Sequence, residues 1–215
     1  MANGTQFVEH HVAHHFDTAE QEFETAKTGM WAFLAQELLF FSGLFVAYGV
    51  FRFLNPEMFL NAQHYLSWKM GALNTVFLIT SSFTMVMGVR SAQLSRTKSS
   101  IYYLTATFLL AASFLVVKYF EYASKFHHGL LPGPWFSAEG AFDTLHLFFG
   151  IYFVLTGLHG LHVLVGMGLI VWIIIRSQRG EFHSEFYTPV EMVGLYWHLV
   201  DLIWIFLFPL LYLIG

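Results

Sequence analysis

The stretch Leu145–Ile175, LHLFFGIYFVLTGLHGLHVLVGMGLIVWIII, runs for 31 residues without an Asp, Glu, Lys or Arg. As an α-helix it is about 46 Å long at 1.5 Å per residue, more than the roughly 30 Å of bilayer hydrocarbon. It crosses a membrane only with a tilt or with one end protruding. It is too long and too uniformly apolar for the period-two pattern of a barrel strand. Working outward, three similar runs precede it, Gly29–Phe53, Met70–Val89 and Ile101–Tyr122, and one follows, Met192–Ile214. The composition agrees: 56% of the 215 residues are hydrophobic and 11% charged, where a soluble domain carries about a quarter charged residues. The expected fold class is all-α, a polytopic transmembrane bundle of five spans. A soluble enzyme, a disordered chain and a nucleic-acid binder do not fit this balance. The chain has no Cys, hence no disulfide, no thiolate metal site and no cysteine nucleophile.

The organisation read from this pattern is a polar tail, 1–28, followed by the transmembrane domain, 29–215. The tail is rich in His and Glu and lacks the basic start and apolar run of a signal peptide. Its segment Glu9-His10-His11-Val12-Ala13-His14-His15 is compositionally able to bind a metal ion, although such bias more often marks a solvated tail. No connection between spans is long enough for a soluble domain. One of them contains Leu131-Pro132-Gly133-Pro134-Trp135, which cannot be helical and would set Trp135 at headgroup depth. Lys27, Arg90, Arg96, Lys98, Arg176 and Arg179 fall on the N-terminal side of the membrane, against Arg52, Lys69 and Lys125 on the other. Positive residues are retained inside, so the N-terminus is expected in the cytoplasm and the C-terminus outside.

A charge at membrane depth costs roughly 2.5–3.5 kcal/mol on insertion scales, so each one needs a reason. Glu37 stands alone in its run, about 12 Å along the helix from Gly29. It reads either as a proton-exchanging or lipid-contacting carboxyl or as a structural hydrogen bond to a neighbouring helix. Lys118 and Glu121, three apart, share a helix face near the end of the third span. A local pair with snorkelling explains Lys118, whereas Glu121 could turn inward toward a His. The fourth span carries His146, His159 and His162, the last two in Thr156-Gly157-Leu158-His159-Gly160-Leu161-His162. Glycines at this density are expected to let helices approach closely. His159 and His162 could ligate one metal or sit beside a haem, but nothing completes a shell, and neutral histidines hydrogen-bonded between helices are the better expectation. In the fifth span His198 and Asp201 face one side, so they pair or reach the same neighbour. No nucleophile or oxyanion site accompanies them.

Together these residues resemble subunit III of the haem-copper terminal oxidases, most closely the short, five-span bacterial form of the cytochrome c oxidase. The likeness runs from Thr28 to Gly215. It rests on Glu37-Leu38-Leu39-Phe40-Phe41-Ser42-Gly43, Leu73-Asn74-Thr75, Glu121-Tyr122, Thr156-Gly157-Leu158-His159-Gly160-Leu161-His162-Val163, and Tyr196-Trp197-His198-Leu199-Val200-Asp201-Leu202-Ile203-Trp204-Ile205-Phe206. The resemblance implies a non-catalytic subunit of a proton-pumping oxygen reductase in the bacterial inner membrane. Haem and copper would lie in partner subunits I and II, with no cofactor, metal or catalytic residue in this chain. It implies docking on subunit I, bound phospholipid, support of proton uptake and no nucleic-acid partner, and it leaves open membership of a larger respiratory supercomplex. Glu37 aligns with the family's buried carboxyl, Glu121 and His159 with polar groups linking its helices, and Arg176 with a basic residue near a lipid phosphate. His162, His198 and Asp201 complete the set of expected buried polar or lipid-contacting residues. The longest members have seven spans; the first two, which partly wall the family's lipid cleft, have no counterpart here. A quinol-oxidase version of the subunit is the main alternative, because five-span, His-rich forms occur there too, while Leu195-Tyr196-Trp197-His198 and Phe208-Pro209 look more like the cytochrome c class. An independent membrane metalloenzyme or transporter is the competing class.

Overall fold

Helix boundaries follow local chemistry throughout the computed structural model, which describes residues 16–63, 65–131 and 145–213. The helices are α1 (Ala19–Leu54), α2 (Pro56–Gln63), α3 (Trp68–Gln93), α4 (Thr97–His127), α5 (Leu145–Gln178) and α6 (Thr188–Phe208), the last continuing as a π-helical turn, Pro209–Leu213. Five of them, all but α2, are long and apolar enough to cross a membrane. This is the five-span helical bundle expected. A helical backbone satisfies its own hydrogen bonds, which the hydrocarbon cannot do for it.

The first span starts earlier than its apolar run. Thr18 caps α1, its hydroxyl accepting from the Gln21 amide at 3.1 Å, while the Gln21 side chain accepts from the Asp17 amide at 2.9 Å. Such reciprocal capping satisfies orphan amides, and Glu20 and Glu22 in the first turn suit the helix dipole. Part of the expected polar tail is therefore a helical extension of α1. At the other end Pro56, which disfavours helix in Asn55 and fits the first position of a new helix, separates α1 from α2. Neither α2 nor the extension of α1 announced itself in the apolar pattern.

Three helices stop in the same way. After α4 the Gly129 amide bonds Phe126 O and the Leu130 amide Lys125 O, both at 3.1 Å, with Gly129 at φ 66°. After α5, Gly180 and Glu181 bond Ser177 O and Arg176 O. After α3 the same pair of bonds forms around Ser95, at φ 55°. This left-handed cap turns the chain sharply while satisfying the last carbonyls.

α3, α4, α5 and α6 form a ring in which each packs on the next, and α6 closes it against α3. α1 lies outside, on α6, and buries only Leu34, Phe41 and Tyr48, one residue every two turns. α2 wedges Met58, Phe59 and Ala62 under the bundle, with Phe59 edge-on to Tyr48 and Phe148, both at 5.2 Å. The tightest helix approaches are made by other glycines than those expected. A Cβ on Gly166 would meet Trp197 at 2.8 Å and one on Gly71 would meet Phe208 at 2.7 Å. A Cβ on Gly160 would meet no other helix within 4 Å, and one on Gly157 only the Tyr122 hydroxyl, at 4.0 Å. Close approach is decided by which large side chain the facing helix presents, and here those are the aromatics of α6 and its C-terminal end.

Candidate functional site

The membrane-embedded polar groups sort into four places. The largest lies toward the C-terminal end of α4, where Lys118, Glu121 and Lys125 follow at spacings of three and four and share one face. Lys118 Nζ donates to Glu121 Oε2 at 2.9 Å, to Tyr212 OH at 2.7 Å and to Tyr152 OH at 3.3 Å. Tyr212 OH in turn donates to Glu121 Oε1 at 2.6 Å, and Lys125 Nζ reaches the same oxygen at 3.2 Å. Lys118 also sits over the Trp204 ring, 4.8 Å from its centroid, and Lys125 over Tyr152 at the same distance. All three charged side chains are buried.

The Lys118–Glu121 pair is present as expected, but the snorkelling is not. Lys118 points into the bundle because two tyrosine hydroxyls and an aromatic face replace the water it loses, which is what a buried charge requires. Glu121 turns inward, toward two lysines and a tyrosine rather than a His. Beside the cluster Tyr122 OH lies 2.5 Å from Thr156 Oγ1. Thr156 donates to Tyr152 O, so Tyr122 is the donor and ties α4 to α5.

Glu37 on α1 meets His162 on α5, Oε2 to Nε2 at 3.1 Å. The other ring nitrogen, Nδ1, lies 2.7 Å from Leu158 O, an acceptor, so Nδ1 carries a proton and donates. The carboxyl group and Nε2 therefore share one proton. Phe41 packs edge-on to the His162 ring at 5.2 Å, and Tyr196 OH donates to His162 O at 3.0 Å. Both His162 nitrogens are thus engaged, and the geometry realises the hydrogen bond to a neighbouring helix.

His159 departs from expectation. Its ring is fully buried between Phe114, at 5.6 Å, and Trp204, at 5.2 Å, and neither nitrogen has a hydrogen-bond partner. It links helices by ring packing, not by a hydrogen bond. The Trp204 indole N–H donates to Thr75 Oγ1 at 3.1 Å. His159 and His162 thus have different surroundings, and among the described residues no three His, Asp or Glu side chains are grouped to hold a metal ion.

On α6, His198 and Asp201 both turn to α3. His198 Nδ1 lies 2.7 Å from Ser82 Oγ, and the buried Asp201 carboxylate faces the Ser81 and Ser82 hydroxyls without completing a well-formed hydrogen bond. Trp197 Nε1 donates to Ser81 Oγ at 3.1 Å. Asn74, buried nearby on the same face of α3, also lacks a partner. At the far end of α5, Arg176 donates to Glu181 at 2.6 Å and stacks on Trp172 and Phe182. His146 is exposed on the first turn of α5. The tail segment from Glu9 to His15 and the Pro-Gly-Pro-Trp loop lie outside the described residues.

Sequence reasoning missed Lys125, Tyr152, Tyr212 and the α3 serines. Lys125 was accessible, standing four residues after Glu121 on the same face. The tyrosines meet the cluster from 34 and 94 residues away, with no local pattern to mark them.

Comparison with known proteins bears on the chain as a whole. The family cytochrome c oxidase subunit III matches residues 8–215. Similar proteins include cytochrome c oxidase subunit 3 of Thermostichus vulcanus, 32% identical over 199 residues and 92% of each chain. The subunit of the same name in Corynebacterium diphtheriae is 32% identical over 86% of each chain. Quinol oxidase subunit 3 of Bacillus subtilis is 29% identical over 95% of this chain and 97% of its own. With five membrane-spanning helices, a family match over nearly its whole length and relatives that it covers almost end to end, the chain belongs to the cytochrome c oxidase subunit III family.

Proposed function

We propose that the chain is the accessory, non-catalytic subunit of a proton-pumping haem-copper oxygen reductase in a bacterial inner membrane, with its N-terminus in the cytoplasm. It docks on subunit I, stabilises it, retains phospholipid and supports proton uptake, while electron transfer and oxygen chemistry belong to subunits I and II. The observation that supports this most directly is how the embedded polar groups are used. The Lys118–Glu121–Lys125 cluster and the Glu37–His162 pair are closed by side chains of the same chain. They knit helices together. The broad apolar surface of α1, including Trp31, Phe33, Leu38, Leu39 and Phe40, suits permanent docking on a larger membrane partner.

The test is purification through a tag on this chain. A haem-bearing subunit I and a subunit II should co-purify, and the chain separated from them should hold no stoichiometric iron or copper. Metal bound to the lone chain and lost on His159→Ala or His162→Ala, or solute flux in vesicles containing this chain alone, would overturn the assignment. Cytochrome c is the proposed electron donor. The Bacillus subtilis relative favours a quinol-oxidase version as the second reading, and the donor oxidised by the purified complex separates the two.

A further inference from the structure

α6 is covered by α3, α5 and α1 except along one stripe, in which Glu191, Leu195 and His198 are half-buried and Leu202, Ile205 and Phe206 exposed. Beside it α3 offers Val86, Met87, Val89, Arg90 and Gln93, and the two helices enclose a groove of about 300 Å³ with Gly194 in its floor. The groove has a polar and an apolar end. At the polar end stand Arg90, in the last turn of α3, and Glu191, in the first turn of α6. Each complements its helix dipole, which explains why each sits at a terminus. It does not explain why opposite charges line one groove without pairing. The Arg90 guanidinium donates to Gln93 Oε1 at 3.2 Å, and among the described residues no ion pair joins it to Glu191. Toward the membrane interior the walls are apolar. The one polar side chain there, His198, directs Nδ1 away to Ser82 on α3.

The geometry points to a binding site for a phospholipid whose headgroup carries a primary ammonium beside its phosphate. Arg90, helped by the Gln93 amide, takes the phosphate, Glu191 takes the ammonium, and one acyl chain lies along Val86, Gly194 and Leu195 toward His198. Charge complementarity selects the headgroup: a purely anionic lipid would satisfy Arg90 and leave Glu191 facing like charge. Depth suits a lipid: Arg90 and Glu191 stand at helix ends, the level of headgroups, while Leu202 and Ile205 further along α6 are exposed toward hydrocarbon. The site is separate from the Arg176 end of α5, where the family resemblance places lipid, and it does not depend on the oxidase assignment.

The test uses the full chain in whatever complex it purifies with, stripped of lipid and returned to bilayers of phosphatidylethanolamine or phosphatidylglycerol with identical acyl chains. Because this chain has no Cys, Val86→Cys gives it one thiol, and the rate at which a lipid-soluble maleimide labels this chain, separated from its partners after quenching, reports occupancy of the groove. Phosphatidylethanolamine should slow labelling about fivefold or more relative to phosphatidylglycerol, the equivalent of about 1 kcal/mol of preference. In the Val86→Cys background, Glu191→Gln should erase that preference, and Arg90→Gln should restore fast labelling in both lipids. Both charged positions lie at helix ends, so neither change threatens the fold. Equal protection by the two lipids, unaltered by Glu191→Gln, would overturn the proposal. So would a thiol protected in every lipid and released only when another subunit is removed, since that would make the occupant a protein.

Discussion

The cluster on α4 and the Glu37–His162 pair answer the same problem, a charge far from water, in different ways. In the cluster one carboxylate faces two lysines and a tyrosine hydroxyl, and every member is buried. The pair has two members, each still 13–18% exposed on its side chain, and joins the outermost span to the bundle. The cluster ties α4 to α5 and to the C-terminal turn, where the ring packing is already dense. The pair holds a helix that buries only three residues of its own. A network of several partners can carry a fully desolvated charge, whereas a two-membered contact survives where some solvation remains. The cluster accordingly braces the packed ring, and the pair is one of the contacts that hold α1 on it, beside the Tyr48 hydroxyl on Leu210 O.

Four measurements sharpen or break this contrast. Glu121→Leu should have the largest effect, because it leaves Lys118 and Lys125 buried without a counter-charge, and breaking a buried pair in this way costs about 3–5 kcal/mol. The check is the unfolding midpoint in an SDS titration of the detergent-solubilised chain; a loss below about 1 kcal/mol would mean that the lysines escape to water after all. Tyr212→Phe removes a single hydroxyl that meets both Lys118 and Glu121, and hydrogen bonds to charged groups contribute about 1.5–3 kcal/mol. The same titration measures it, and a Lys118→Met, Tyr212→Phe cycle should show the two changes to be non-additive.

Glu37→Ala should cost less, about 1–2 kcal/mol, since His162 Nε2 loses its partner in a partly exposed setting. In the assembled complex it should appear as faster inactivation during turnover, with initial turnover largely kept. Glu37→Gln, whose amide can still donate to Nε2, should stay close to wild type in both quantities. Loss of oxygen reduction by Glu37→Gln in an intact complex would instead make this carboxyl an obligatory proton carrier. The smallest effect is expected from Glu181→Gln. It opens the partly exposed Arg176 pair, of the kind that contributes at most about 1 kcal/mol and fades with salt. Thermal unfolding at low and high ionic strength reads it.

Much of this was legible beforehand, and the exceptions have definite causes. The five spans follow from apolar length alone. The Lys118–Glu121 pair follows from spacing on one helix. The inward course of Lys118 did not, since a lysine near a span end normally reaches the interface along its own stem. What holds it is Tyr152 and Tyr212, brought by two other elements. His159 reads as a hydrogen-bonding residue because histidines in spans usually are; it packs instead between Phe114 and Trp204, which arrive from two other helices. The glycines at 157 and 160 looked like a close-packing motif, yet the narrow crossing is at Gly166, where Trp197 arrives from α6.

The sequence by itself determined the class of the molecule: apolar runs with few charges, long enough to cross hydrocarbon, force backbone hydrogen bonds inward and make helices, and their number sets the topology. It also determined which residues carry a cost in the membrane, because that cost depends on side-chain chemistry and depth. Only the tertiary structure decided how each cost is met. Compensation of a buried charge is short-ranged and directional, acting over about 3 Å between groups that lie up to 125 residues apart, as Glu37 and His162 do. Helical periodicity specifies which residues share a face, but not which neighbour that face will meet.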